Sequence, residues 1–322
     1  MSPSMGAVPT AAPELPANLT VGQGRFRRAQ RIHAVAIAVI PALALLPTAW
    51  FAMTYGVSAL DLALFAGMYV ATILGIGMGY HRLFTHRSFK AIQPVRVALA
   101  ICGSMAAQGS VVYWVSNHRR HHQYTDLPGD LHSPVIDGTD RLGRWAGFWH
   151  SHMGWTFGHA LTNPLLFAKD LYHDPAISRI NRLYLVWVGL GLALPAALGG
   201  LLTGTWTGAV GGLLWGGFVR LFVSYHVSNG IDSVTHMFGT QPFETRDESR
   251  NNPLWVLPTL GEGWHNNHHA FPTSASFGLR WWQVDPAWWL IRGLERVGWA
   301  WDVKRVSPEM VAEKSRPAPV GA

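Results

Sequence analysis

Among 322 residues there is one cysteine. Cys102 alone excludes an internal disulfide, a thiolate-held zinc and an iron–sulfur cluster. Charge is scarce as well, at 13% of the chain, while 49% is hydrophobic and 16 residues are Trp. That balance does not describe two soluble domains, which the length alone would allow, and points to a membrane protein. The formal charge of +7 does not describe a nucleic-acid partner either. The basic residues flank apolar segments instead of forming an aromatic-studded patch, as in the positive-inside signature of a bilayer protein. Also lacking are a Gly-rich dinucleotide fingerprint and a haem-attachment Cys motif.

What is present begins with long apolar runs. A helix crosses a bilayer with about 20 apolar residues, and residues 34–55, 59–80, 183–202 and 206–225 are expected to do so. The links at 56–58 and 203–205 carry no charge, whereas Arg25, Arg27, Arg28, Arg31, Arg82, Arg87, Lys90, Arg179 and Arg182 cluster at the other ends. The expected fold is all-α, with two membrane hairpins, both termini cytosolic, and a cytosolic helical cap at 81–182 and 226–305. A fifth apolar stretch, 95–115, is interrupted by Gly103, Ser104, Gln108 and Ser110. It is expected to lie at the interface on the cytosolic side. Residues 1–24, rich in Pro, Ala and Gly, read as a disordered tail without a signal peptide, and 306–322 as a second frayed tail. A single domain at 25–305 lies between them. Glycines in the third and fourth runs suit close helix packing, and the pairs Trp281-Trp282 and Trp288-Trp289 suit a headgroup-level anchor.

Histidine is the anomaly, with 16 residues, most of them bunched. Three boxes stand out: His81-Arg82-Leu83-Phe84-Thr85-His86, His118-Arg119-Arg120-His121-His122 and His265-Asn266-Asn267-His268-His269. Residues three and four apart share a helix face, so each HxxHH aims its imidazoles one way. The i, i+5 pair of the first box shares a face less well and calls for a partly unwound turn or approach from two sides. His33, His132, His150, His152, His159, His173 and His226 stand apart and read as ordinary core or surface residues. Eight buried imidazoles on one side of a membrane would be poorly satisfied without a metal.

These boxes, their order and their flanking stretches (Gly154-Trp155, Asp232-Ser233-Val234-Thr235-His236, Gly261-Glu262-Gly263-Trp264) resemble the membrane fatty-acyl desaturases of the stearoyl-CoA desaturase type. The likeness covers roughly residues 60–302. It implies a non-haem di-iron centre with nine ligands, His81, His86, His118, His121, His122, His236, His265, His268 and His269, and O2 as co-substrate. Imidazole suits several metals, but nine ligands are too many for one ion, and a zinc hydrolase needs only three plus a water. The resemblance further implies an oxygen-dependent desaturase, at the delta-9 position of a saturated acyl chain, in a bacterial cytoplasmic membrane. Its electrons come from a separate donor such as a ferredoxin or rubredoxin with its reductase, since both tails are too short for a fused donor domain. Hydroxylation or acetylenic bond formation on the same scaffold is the nearest rival, and a non-enzymatic metal-binding receptor the rival of another class.

Around that centre, Glu262 is expected to orient a ligand. Tyr69 and Ile73, one turn apart, are expected by family position to line the distal end of the substrate tunnel. Asp232, where relatives commonly carry Asn, is expected on the same face as His236 and near a metal. Residues 156–160 and the pair Ser116-Asn117 lack the permanent positive charge that holds coenzyme phosphates in animal relatives, although Arg119, Arg120, Arg141 or Arg144 could substitute. A carrier-protein or lipid-bound acyl group is therefore expected as readily as a coenzyme A ester.

Overall fold

A computed structural model of the chain describes residues 15–22 and 27–316. Four helices are long and apolar enough to cross a membrane: Arg28–Tyr55, Ala59–Thr85, Tyr184–Thr203 and Trp206–Met237. Leu46, Met53, Leu185 and Leu201 point outward, each more than two-thirds exposed, as a lipid-facing surface requires. Each hairpin turns at residues suited to it. Ser58 and Asp61 form a reciprocal capping box at the start of the second span. Gly204 closes the third span in the left-handed region, and Thr205 caps the fourth. The third and fourth spans pack closely through glycine. A methyl on Gly212 would lie 2.1 Å from the Pro195 carbonyl oxygen, and one on Gly199 would lie 2.1 Å from that of Gly208.

The second and fourth helices run past their apolar stretches, to Thr85 and Met237, and so carry His81 and His236 clear of the bundle. The stretch 95–115 is not one helix. It divides into Gln93–Met105 and Val111–Tyr124, with Ala107 and Gly109 at positive φ between them. Arg220, wholly buried in the bundle, secures this break. Its guanidinium donates to the carbonyls of Met105 and Gly191 at 2.7 Å and of Gly216 at 3.1 Å. A carbonyl freed at a helix end needs such a donor where water is excluded.

The cap is helical, with two small antiparallel ribbons, Lys90–Ala91 with Ala300–Trp301 and Ile136–Asp137 with Asp140–Arg141. Trp281, Trp282 and Trp289 are exposed, while Trp288 packs on the core. Both expected tails hold ordered portions. Leu19 is buried against Tyr124 and Phe167, and the Val21 amide donates to the Leu161 carbonyl. The helix Pro308–Lys314 sits beside the third box, where Lys314 Nζ donates to the Ala270 carbonyl at 2.7 Å. Apolar anchors, Leu19 in one case and Val306 and Val311 in the other, override the polar composition that suggested disorder. The rest of both expected tails, 1–14, 23–24 and 317–322, lies outside the described residues.

Candidate metal centre

The first box is solved by a change of helix type. Gly75–Thr85 is π-helical, and the His86 amide donates to the His81 carbonyl five residues back. A wider turn brings residues i and i+5 onto one face, which neither an unwound turn nor approach from two sides is needed to explain. The second box lies on the helix Val111–Tyr124, and the third on His265–Ala270. The two asparagines inside the third box are its fasteners. Asn266 Oδ1 accepts from the Phe243 amide, and Asn267 donates to the Phe277 carbonyl at 2.7 Å.

Nine histidines converge in two groups able to hold a metal: His81, His86, His118, His122 and His268 in one, His121, His236, His265 and His269 in the other. Nε2 of His268 lies 2.9 Å from both His81 Nε2 and His122 Nε2, and His122 Nε2 lies 3.1 Å from His118 Nε2. In the second group His236 Nε2 and His265 Nε2 are 3.1 Å apart. Two imidazoles at right angles on one ion, each bonded at about 2.1 Å, would sit about 3.0 Å apart. One nitrogen shared between two others cannot be satisfied by a single proton. His86 Nε2, His121 Nε2 and His269 Nε2 are moreover buried with no hydrogen-bond partner. The donor set therefore fits cations.

Carboxylates fix which nitrogen faces each group. Glu262 accepts from His81 Nδ1, Asp130 from His121 Nδ1 at 3.0 Å, Asp126 from His236 Nδ1 at 3.4 Å and Asp247 from His269 Nδ1 at 3.0 Å. A carboxylate can only accept there, so the proton sits on Nδ1 and the Nε2 lone pair is free for a metal. Glu262 is shared with wholly buried Arg82, whose Nη2 lies 3.2 Å from Oε1 and whose Nη1 donates to Asp285. Among the described residues, the three aspartates of the second group have no such cation. Burial, reinforced by neighbouring imidazoles, holds His118, His122 and His268 well below the ordinary histidine value, so they are neutral and ready to coordinate. At His121 burial also acts downward, but the Asp130 carboxylate outweighs it and raises the ring to about 9, so a metal at Nε2 would displace the ring's second proton.

Glu262, expected to orient a ligand, meets His81 Nδ1. Asp232 does not join either group. It is one turn nearer the membrane than His236, with Oδ1 3.8 Å from His132 Nδ1, and belongs to a cavity wall. His132, read as ordinary, stacks on His121 and forms a buried group with it and Asp130. The sequence held only a weak signal for these aspartates: Asp126 and Asp130 follow the second box closely, while nothing marks Asp247. Of the remaining lone histidines, His33 pairs with Tyr184 and His152 with Ser233 and His226.

The cavity encloses about 900 Å³ of empty space, its mouth included, and reaches His81, His118 and Glu262. Neither Tyr69 nor Ile73 borders it. The Tyr69 hydroxyl donates to the Pro258 carbonyl at 2.7 Å, Ile73 is buried in packing, and Ile76, one turn further on, takes the wall position. Arg119 and Arg120 are engaged elsewhere, Arg119 with Asp170 and the carbonyls of Phe84 and Thr85, Arg120 with that of Gly129.

A sequence profile described as Fatty acid desaturase matches residues 58–304. The chain is 46% identical to the hex-5-enoyl (acyl-carrier protein) acetylenase of Moorena producens over 92% of each sequence. It is 39% identical to the sn-1 stearoyl-lipid 9-desaturase of Synechocystis sp., over 75% of this chain and 71% of that one. With the icosanoyl-CoA 5-desaturase of Limnanthes douglasii it shares 36% over 84% and 71%. Two converging histidine groups at the mouth of a four-span bundle are what such an oxidoreductase requires, and the chain belongs to the fatty acid desaturase family.

Proposed function

We propose that the two histidine groups hold a non-haem di-iron centre, and that the chain uses O2 to remove two hydrogens from adjacent carbons of a fatty-acyl chain. The convergence of nine imidazoles in two groups supports this most directly. Bound iron would supply the activation of O2 that no side chain can provide. The chain's own residues do the rest. Glu262, Asp126, Asp130 and Asp247 hold the Nδ1 protons and so the ring orientations. Burial of the boxes excludes water, and the cavity positions the substrate carbons. Overall, two C–H bonds are lost and a C=C bond forms. O2 takes four electrons, two from the substrate and two from an external donor, and leaves with four protons as two waters. The donor is a separate ferredoxin or rubredoxin with its reductase.

The delta-9 position expected from the sequence has counterparts among the relatives, as do a 5-desaturase and an acetylenase. Dehydrogenation is the common step, and an acetylenic product is the second reading because of the relative that shares 46% identity. A carrier-protein or lipid-bound acyl group fits at least as well as a coenzyme A ester. Residues 156–160 offer no permanent cation and Arg119 and Arg120 are already bonded. The basic flanks support an orientation with both termini cytosolic, and the membrane is read as a bacterial cytoplasmic one.

Purified protein is expected to carry about two irons per chain and to consume O2 when reduced with an acyl substrate present. His268→Ala, which removes a ligand from the five-membered group, is expected to abolish turnover and lower iron content while insertion in the membrane persists. Wild-type iron and turnover in that variant would sink the reading.

A further inference from the structure

Beside the five-histidine group the chain keeps hydrogen-bonding capacity that it does not use itself. Both atoms of the Asn117 carboxamide, the Trp155 indole N–H, the Tyr225 hydroxyl and Asn229 Nδ2 are buried without a partner at hydrogen-bond distance and angle. Asn117, Tyr225 and Asn229 are each less than 10% exposed, and all four residues line the cavity that also touches His81 and His118. They come from three separate elements: the second-box helix, the segment carrying Gly154-Trp155, and the cytosolic end of the fourth span. An alkyl chain laid along this wall would leave the Trp155 indole N–H and Asn117 Oδ1 unsatisfied, at about 1–3 kcal/mol each, with only Tyr113 beside the Asn117 amide and Thr156 and Asn229 beside Tyr225. A thioester carbonyl and the amides of a pantetheine-type arm offer what the wall lacks. The carbonyls accept from Trp155, Asn229 and Asn117 Nδ2, and an amide N–H donates to Asn117 Oδ1.

A second observation concerns the far end. The cavity draws on the first span only at Gln30, His33, Ala34 and Ile37, and on the second only at Ile76 and His81. Beyond it the second and fourth spans meet at Gly211 against Asp61, too tightly for a methyl group, and the third and fourth at Gly212 against Pro195 and Gly199 against Gly208. No residue of the third span borders the cavity. The space next to the metal groups therefore suits a polar head with few carbons beyond it, and not the middle of a long chain.

We infer that this site takes short acyl groups carried as thioesters on a pantetheine-type arm, with the thioester held by Asn117, Trp155, Tyr225 and Asn229, and places the new unsaturation close to the carbonyl. This rests on the reading of the site as an acyl desaturase, with the same O2 and electron stoichiometry. The test uses the iron-loaded full chain with ferredoxin, reductase and O2, supplied in turn with hexanoyl, octanoyl, palmitoyl and stearoyl thioesters of acyl-carrier protein. The products are mapped for bond position. Hexanoyl or octanoyl groups are expected to react at least about tenfold faster than palmitoyl or stearoyl groups. Asn117→Leu, and Tyr225→Phe as the milder companion, are expected to raise KM for the short thioester about tenfold, the effect of one lost hydrogen bond, with iron content unchanged. Preference for palmitoyl or stearoyl groups with mid-chain unsaturation overturns the inference and leaves the desaturase reading intact. So does an unchanged KM in both variants. Iron-loaded protein that oxidises no acyl group of any length overturns the desaturase reading itself, and the inference with it.

Discussion

At the scale of single residues, the two histidine groups differ in what stands behind them. Among the described residues, three of the four rings in one group lean on aspartates, whereas in the other only His81 has a carboxylate, and Arg82 shares it. Removing such a partner typically costs 10–100-fold in metal affinity, about 1–3 kcal/mol. Asp247→Asn is expected to loosen one metal per chain and Glu262→Gln the other, which a chelator titration followed by elemental analysis would resolve as loss of about half the metal in each case. Loss of all the metal, or of none, would show that the positions are not held separately. Eight of the nine converging histidines were legible in the sequence because they are repeated and bunched, and the ninth, His236, only through the resemblance. Their supports were not. Asp247 reaches His269 from a loop 22 residues earlier, and no spacing rule links a loop carboxylate to a ring it meets only after folding. The same is true of the cavity wall, which is assembled from distant elements.

At the scale of elements, the π-helical segment decides the geometry of the first box, and its start is a crossing point. Gly75 meets the helix Gln93–Met105 so closely that a methyl group there would lie 2.2 Å from the Gly103 amide nitrogen. Gly75→Val is therefore expected to destabilise by about 1–3 kcal/mol through overpacking, and to lower the midpoint of thermal unfolding in detergent. It should also reduce metal content, because the segment that follows carries His81 and His86. An unchanged midpoint and full metal would show that the crossing can open at no cost. The spacing of the first box announced that an ordinary helix would not serve. Which remedy the chain adopts depends on packing across this crossing, and packing has no one-residue signature. The end of the fourth helix was unreadable for a similar reason. Residues 226–237 are too polar to extend an apolar run, and are helical because they pack against the cap.

At the scale of the whole molecule, the four spans were plain from hydropathy, and the cap was plain only as a remainder. Its junction with the second span is held by Asp170, which receives hydrogen bonds from Arg119 of the second-box helix and Arg87 after the first box. Burial acts to raise the Asp170 carboxyl, but these two arginines outweigh it and bring it down to about 2. A depressed carboxyl contributes stability that is full above its unfolded value of about 3.9 and is lost as pH falls towards 2. Acid unfolding of the detergent-solubilised protein is thus expected to steepen between about pH 5 and 2, by an amount on the order of 1 kcal/mol for this partly exposed cluster. Asp170→Asn should flatten that limb and leave stability at neutral pH slightly lower. An identical acid limb in the variant would remove the cluster from the account.

Ligand order along the chain has one more consequence, for the time at which the protein becomes what it is. The five-membered group needs His268 and the four-membered group needs His265 and His269, although both begin with residues much earlier in the sequence. Chains emerge from the ribosome N-terminus first. A nascent chain whose four spans are already inserted therefore owns neither complete histidine group. Both positions close with the same short helix, and Lys314, still later in the chain, then latches onto the carbonyl of Ala270 at its end. Maturation is in this sense a single late event, set by where the third box lies in the reading frame.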